Sequence, residues 1–368
     1  MKRFFLPLLL SLPLWAQPQR EWVESVPQET EQVLDDPHIR QTSEAWLELI
    51  EGAQSQLDLE FFYLRPPEAG HGQALAKVIS AIEACPGRGV KVRVLVDDKF
   101  SRTYPQLVDR WQCRSGFEVR KLSFPVGVLH LKMMLADQRQ LFLGSQNFDW
   151  TSLEHIRELG VLQTGEVGDF QAIFEDDWRR AAGQTVAARE VSGQAVFSPR
   201  PWHPQGNELD CLLQLLGQAQ DSIALQVMTF GPLDPHSGER DDSLDQALRQ
   251  AASRGVKVHL LVADWALRQK AAADYLKQLD QVDGIEVRVS RIPAWSQGEV
   301  AYARVAHCKY LLIDGEQGWM GTSNWEPGYF HHSRNAGIRF EEEGLAQSLR
   351  SYFERDWNGP YVRPIHTP

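Results

Sequence analysis

Apolar positions along the chain follow two alternating rhythms. Leu57-Asp-Leu-Glu-Phe-Phe-Tyr63 and Gly89-Val-Lys-Val-Arg-Val-Leu-Val96 place apolar side chains at every second position, the period of a strand. Between them, Leu75, Val78, Ile79 and Ile82 fall on one face of a helix predicted over 73–84. The same reasoning predicts helices over 43–52, 104–112 and 170–180 and strands over 117–122 and 128–136. The pattern then recurs. Ala53-Gln-Ser-Gln-Leu-Asp-Leu-Glu-Phe61 matches Ala219-Gln-Asp-Ser-Ile-Ala-Leu-Gln-Val227, and Arg88-Gly-Val-Lys-Val-Arg-Val-Leu-Val96 matches Arg254-Gly-Val-Lys-Val-His-Leu-Leu-Val262, both at an offset of 166 (219 − 53, 254 − 88). Strands alternating with helices, written twice, predict an α/β fold of two fused α-β-α halves with largely parallel sheets, related by a pseudo-twofold axis. The halves are expected over 41–190 and 207–368, joined by a linker over 191–206 that contains Pro199-Arg-Pro201 and Pro204-Gln-Gly206.

One apolar run in each half carries chemistry. Val128-Leu-His-Leu-Lys-Met-Met-Leu-Ala-Asp137 and Val305-Ala-His-Cys-Lys-Tyr-Leu-Leu-Ile-Asp314 both read His-x-Lys-x4-Asp. Each leads to a turn of small residues ending in asparagine, Gly144-Ser-Gln-Asn147 and Gly321-Thr-Ser-Asn324, with 17 positions from histidine to asparagine in both (147 − 130, 324 − 307). On a strand, positions i and i+2 share a face. His130 is thereby expected to project with Lys132, and His307 with Lys309, while Leu131 and Cys308 turn into packing. An imidazole beside an ammonium is an anion site with its own acid, base or nucleophile. Asp137 and Asp314 lie just past the strand ends, where a carboxylate fixes a turn or pairs with a cation. Asn147, Asn324, Ser145 and Ser323 are candidate substrate-binding groups, since neutral donors suit phosphate oxygens. Between the motifs the offset grows to 177 (307 − 130), so the second half holds about 11 extra residues, expected around 266–283 and 290–300.

The two motifs resemble the signature of the phospholipase D superfamily. Within it, Gly144-Ser-Gln-Asn-Phe-Asp-Trp-Thr-Ser-Leu153 with Arg157-Glu-Leu-Gly-Val161, and Tyr302-Ala-Arg-Val-Ala-His-Cys-Lys-Tyr310 with Gly321-Thr-Ser-Asn-Trp325 and Gly328-Tyr-Phe330, resemble the branch of lysosomal phospholipase D-like 5′-exonucleases. The resemblance implies a phosphodiesterase with one active site shared by the halves and a covalent phosphohistidine. One histidine attacks, and the other serves as acid and then activates water. Catalytic candidates are His130, Lys132, Asp137, His307, Lys309, Asp314 and Glu158. Glu158 lies 28 residues after His130, and the same step from His307 meets Asn335. A carboxylate on one ring nitrogen frees the other to attack and stabilises charge on the ring. His130 is therefore expected as nucleophile and His307 as acid/base. The reverse follows if the segments cross and Glu158 reaches His307.

Composition narrows the partners. A net charge of −11 disfavours indiscriminate binding to long nucleic acid or anionic membrane, yet leaves room for a local basic cleft. The expected substrate is a phosphodiester, either single-stranded nucleic acid or a phospholipid head group. A non-catalytic scaffold is the third reading, disfavoured by two intact motifs. Phe148, Trp150, Trp325, Tyr329 and Phe330 are candidates for base stacking, an acyl groove or core. Lys99, Arg102, Arg291 and Arg304 are candidates to guide a polyanion. No cofactor is expected. No metal is expected either, because no cysteine or histidine spacing suits zinc. Residues 1–16, with Lys2, Arg3 and an apolar run to Leu14 before Ala16, read as a secretory signal, so the protein is expected to be exported. Residues 17–40, polar and acidic with three prolines, read as a leading arm. In an oxidising compartment, a Cys85–Cys113 disulfide becomes plausible, while Cys308 is expected to stay a buried thiol. Since the duplication completes a site within one chain, a monomer suffices for catalysis.

Overall fold

The computed structural model describes residues 18–191, 193–234 and 237–367; the expected signal segment, 1–16, lies outside the described residues. The first half runs β1 (Gln19–Ser25), α1 (Glu31–Leu34), β2 (Arg40–Gln41), α2 (Thr42–Gly52), β3 (Gln56–Phe61), α3 (Gln73–Ala84), β4 (Lys91–Asp97), α4 (Asp98–Thr103), α5 (Gln106–Gln112), β5 (Phe117–Leu122), β6 (Lys132–Ala136), β7 (Gln140–Gly144), α6 (Trp150–Glu154), β8 (Glu158–Thr164) and α7 (Gly168–Ala181). The second runs β9 (Ala195–Ser198), α8 (Glu208–Gln218), β10 (Ser222–Val227), α9 (Ser243–Ser253), β11 (Lys257–Ala263), α10 (Lys270–Leu279), β12 (Ile285–Ser290), β13 (Tyr310–Ile313), β14 (Gln317–Gly321), α11 (Pro327–His331), β15 (Asn335–Phe340), α12 (Glu343–Asn358) and β16 (Val362–Pro364).

Each half builds one eight-stranded sheet, in the orders β2-β1-β8-β7-β6-β3-β4-β5 and β16-β12-β11-β10-β13-β14-β15-β9. The α/β class and the two-half plan are as expected, but the sheets are mixed rather than largely parallel. Parallel pairing holds along β3-β4-β5 and β10-β11-β12, where helices cross over between strands. The motif strands run antiparallel to their neighbours, β6 to β3 and β7, β13 to β10 and β14. A tight turn joins β6 to β7 and β13 to β14, and a tight turn only serves antiparallel neighbours.

Two segments expected outside the halves belong to the sheets. In the expected arm, β1 pairs along its whole length with β8, from Gln19 opposite Thr164 to Ser25 opposite Glu158. Its polar composition conceals Trp22 and Val23, which bury on opposite faces. In the expected linker, β9 covers the edge of β15 and so buries Val196 and Phe197.

Strand alternation sorts the core into layers. On β6, Met133 and Leu135 face a core common to both halves, whereas Met134 and Ala136 face α2 and α3. On β13, Leu312 faces the common core and Leu311 and Ile313 face α8 and α9. The common core also takes Phe170, Phe174 and Trp178 of α7 and Leu349, Phe353 and Trp357 of α12, which docks the halves on one another. The four cysteines are free thiols, with Cys85 buried and Cys113 exposed, so the plausible disulfide is not formed. Cys308 is buried, within 3.3 Å of the Tyr352 hydroxyl.

Candidate active site

The motif strands are shorter than the apolar runs suggest. β6 starts only at Lys132 and β13 only at Tyr310, because upstream each chain leaves its own sheet to pair with the other half. Leu129 bridges Arg334, and Ala306 bridges Arg157. The His130 amide donates to the Arg334 carbonyl (2.9 Å), and the His307 amide to the Arg157 carbonyl (2.8 Å). Both arginines are fully buried and held by carboxylates: Arg334 by Asp177 of α7 (2.6 Å), Arg157 by Asp356 of α12 (3.1 Å) and by Glu24 of β1. The Arg334–Asp177 and Arg157–Asp356 pairs cross from one half to the other.

The crossing decides what the histidines touch. Glu158 reaches His307, not His130: its Oε2 lies 2.9 Å from His307 Nδ1. His130 Nδ1 instead lies 3.0 Å from Asn335 Oδ1. The expectation that Glu158 serves His130 is therefore corrected to the crossed arrangement. The Asn335 amide has a fixed orientation. Its Oδ1 accepts from Thr322 Oγ1 (2.9 Å), and its Nδ2 donates to the Tyr329 carbonyl (2.9 Å). An acceptor faces Nδ1 of both rings, so both carry their proton on Nδ1 and keep the lone pair of Nε2 free.

The site is almost dry. His130 and His307 are 6% and 8% exposed, and Lys132 and Lys309 are fully buried. Burial, then the charges of Lys132 and Lys309, push the His130 pKa well down. Burial also lowers His307, with Glu158 opposing. Burial holds Lys132 well below the usual lysine range and brings Lys309 down to about 7, again with Glu158 opposing. Burial pushes the Glu158 carboxyl up, but His307 and Lys309 pull harder and leave it below the usual carboxylate range. Two buried ammoniums and two imidazoles with one carboxylate form a centre that wants an anion. Lys132 and Lys309 each donate to the carbonyl of the histidine two residues earlier, at 2.6 and 2.5 Å, so each pair is one rigid unit.

The remaining expected residues divide. Asn324 lies beside the site, its Nδ2 donating to the Tyr329 hydroxyl (3.1 Å), and Asn147 is its counterpart at the offset of 177 (324 − 147). The Ser145 hydroxyl bonds to the backbone of Leu159 next to Glu158. Ser323 does not face the site: its hydroxyl donates to Glu208 of α8 (2.6 Å). Thr322 is the true counterpart of Ser145 at the offset of 177 (322 − 145), and the sequence reading missed it by one position. Asp137 and Asp314, expected among the catalytic groups, sit at the far ends of their strands. Asp137 accepts from the amides of Gln54, Ser55 and Gln56, and Asp314 from those of Gln220, Asp221 and Ser222. They hold turns. Phe148, Trp150, Trp325 and Phe330 are core, and of the candidate aromatics only Tyr329 reaches the site, its ring 5.0 Å edge-on to His130.

Beside the shared centre the halves differ. Phe62 and Tyr63 pack on Phe100 and Tyr104 of the α4 region, with ring centroids 4.1 and 5.0 Å apart, and fill the first half's side. Their counterparts at the offset of 166 are Met228 and Thr229, which leave a cavity of about 520 Å³ against Asn324 and Tyr329. Trp265, Arg268, Arg240 and Tyr275 line it, with the Arg268 guanidinium 3.5 Å above the Trp265 ring. Glu326 also faces it, its carboxyl pushed up to about 7 by burial.

The paired motifs, crossed on one axis in an anion-seeking centre, define a protein of the phospholipase D superfamily. The family model described as "Cardiolipin synthase, PLD-like domain" matches residues 46–178 and 212–357, so the chain belongs to that family and is a phosphodiesterase. Among its relatives, phospholipase D Z of Dictyostelium discoideum is 30% identical, over 89% of this chain and 87% of that protein. The 5'-3' exonuclease PLD3 of Rattus norvegicus is also 30% identical, over 94% of this chain and 80% of that protein. The fold is shared with phosphatidylserine synthase of Haemophilus influenzae, with a TM-score of 0.61 and 12% identity over 88% of this chain and 85% of that one. It is shared too with polyphosphate kinase of Porphyromonas gingivalis, with a TM-score of 0.61 and 15% identity over 91% of this chain and 46% of that one.

Proposed function

We propose that this protein is an exported, metal-independent phosphodiesterase that cleaves single-stranded nucleic acid through a phosphohistidine on His307. The observation behind the substrate is the one-sided cavity, where an aromatic ring, two arginines and a tyrosine lie beyond Asn324 and Tyr329 at the edge of the catalytic centre, while aromatic rings pack the matching place in the first half. Stacking rings with cations suit an unpaired base and its phosphate. The 30% identity to a 5'-3' exonuclease over 94% of this chain points the same way.

The chemistry divides between the histidines by charge. His307 Nε2 attacks phosphorus, and the ring gains positive charge that Glu158 offsets through Nδ1–H. His130, facing only a neutral amide, is protonated on Nε2 as the phosphate anion arrives. It gives that proton to the leaving oxygen as the P–O bond breaks, and its lowered pKa makes it a ready donor. It then takes a proton from water, whose oxygen attacks phosphorus and releases His307. Lys132, Lys309, Asn147 and Asn324 hold the non-bridging oxygens. These groups supply both charge and proton transfer without a metal.

Phospholipid is the second reading, favoured by Leu233, which lines the same cavity and is 48% exposed, and by the likeness to phospholipase D Z. Single turnover on a single-stranded oligonucleotide and on phosphatidylcholine vesicles, both in EDTA, separates the two. Nucleotide release is expected; choline release alone moves the protein to lipid, and silence in EDTA with turnover on added metal overturns metal independence. A p-nitrophenyl phosphodiester, whose leaving group needs no acid, tests the histidines. His130→Ala is expected to give a burst and a phosphoenzyme mapped to His307, while His307→Ala gives neither. A phosphoenzyme on His130 reverses the assignment.

A further inference from the structure

The second half's extra length sits largely in one loop. Nine residues (123–131) separate β5 from β6, whereas nineteen (291–309) separate β12 from β13. This loop ends at His307 and Lys309. With Asp264 and Arg268 it encloses a second cavity of about 490 Å³, and Arg268 faces both this cavity and the larger one beside Tyr329.

The loop presents an aromatic ring to solvent at a conformational cost. Tyr302 is 72% exposed, and among the described residues no other large apolar or aromatic side chain is as open. It has φ of 61°, and Arg304 has φ of 57°, in a region that bulky residues enter only when their surroundings hold them there. Those surroundings are visible. The Arg304 amide donates to the His155 carbonyl (2.9 Å), and its guanidinium to the carbonyls of Pro293 (2.6 Å) and Gln28 (2.8 Å). The Tyr302 ring lies 6.1 Å from that of Trp265, which carries Arg268 on its face. Asp264 also lines the second cavity, and its charge is answered by Arg268 and Arg291. A tyrosine spent on the core or on a hydrogen bond would explain itself; one held strained and open does not.

We infer that Tyr302 is the platform of a second base-stacking subsite for single-stranded nucleic acid, with Arg268 holding the phosphate that links the two cavities. The inference rests on the nucleic-acid reading of the catalytic site and extends it from one nucleotide to a track. Every nucleobase offers a flat face, so the subsite tightens binding without selecting sequence.

The test compares KM and kcat for a dinucleotide and a hexanucleotide in the wild type, Tyr302→Ala and Tyr302→Phe. A dinucleotide spans the scissile bond and the first cavity only. Tyr302→Ala is expected to raise KM for the hexanucleotide roughly tenfold, with kcat and the dinucleotide unchanged, and Tyr302→Phe to restore it. A hexanucleotide KM unchanged by Tyr302→Ala overturns the subsite alone. An equal KM rise for both substrates also overturns it, since that is a general disturbance of the loop. If the wild type turns over neither oligonucleotide, the nucleic-acid reading falls and the subsite with it.

Discussion

His130 and His307 occupy one axis, in one chain fold, each two residues before a buried lysine whose ammonium it holds by its carbonyl. What distinguishes them is one side chain at offset-matched positions: Glu158 behind His307, Asn335 behind His130. Both partners accept from Nδ1 and so fix the same tautomer. Only one brings charge. A carboxylate stabilises a ring that stays positive for the life of an intermediate, whereas an amide leaves a ring that parts with its proton easily. The pseudo-twofold axis thus supplies two similar imidazoles, and one side-chain difference underlies the separate tasks proposed for them.

The largest expected effect comes from erasing that difference. Glu158→Gln keeps the acceptor geometry within reach and removes the charge. It is expected to lower kcat by roughly 10² to 10⁴, as losing an oriented carboxylate behind a catalytic histidine does, with the phosphoenzyme burst slowed in parallel. An unchanged burst would show that Glu158 only packs. Asn335→Asp works from the other side. A carboxylate there raises the His130 pKa and is expected to move the alkaline limb of the rate profile to higher pH, with a smaller effect on the maximum; a fixed limb would remove His130 from the acid role. Next comes pH itself. Lys309, brought down to about 7, is charged below that pH and neutral above it. Inorganic phosphate is expected to inhibit best on the acid side and to weaken about tenfold per pH unit above it. An unfolded lysine keeps its proton to higher pH than the buried one. The empty protein therefore loses stability as pH falls from the usual lysine range to about 7 and no further below it, and bound phosphate restores it, which melting curves with and without phosphate would register. The smallest effect lies where the halves are most alike. Asp137→Ala and Asp314→Ala are each expected to cost about 1–2 kcal/mol of stability through lost turn hydrogen bonds, with kcat retained. A collapse of kcat in a folded variant would return them to the chemistry.

Much of this was legible in the sequence. The two histidine–lysine pairs, the repeat at 166 and the extra length before the second motif follow from spacing, and the layered core from alternation. Three things were not legible. Glu158 and Asn335 were visible as a mismatched pair, but which histidine each served depends on chain crossing, and no one-dimensional spacing encodes it. For Asp137 and Asp314 the turn-fixing role was legible but their partners were not: recurrence also kept them among the catalytic candidates, and the three amides each one holds lie some eighty to ninety residues earlier in the chain. Residues 17–40 and 191–206 looked like connectors because prolines and polar residues surround their short apolar stretches, yet β1 and β9 complete the sheets. Offsetting the first Gly-Ser turn by 177 would have found Thr322 in place of Ser323.

The crossed ion pairs, Arg157 with Asp356 and Arg334 with Asp177, have a consequence for how such a centre diversifies. In a symmetric dimer of identical halves, whatever stood behind one histidine would stand behind the other, and any gain for attack would be imposed equally on proton donation. Covalent fusion lifts that tie. Once both copies lie on one chain, each can be mutated without its twin, and a glutamate and an asparagine can face each other across the axis. The proposed division of labour between the two imidazoles draws on that freedom, which two identical molecules do not have.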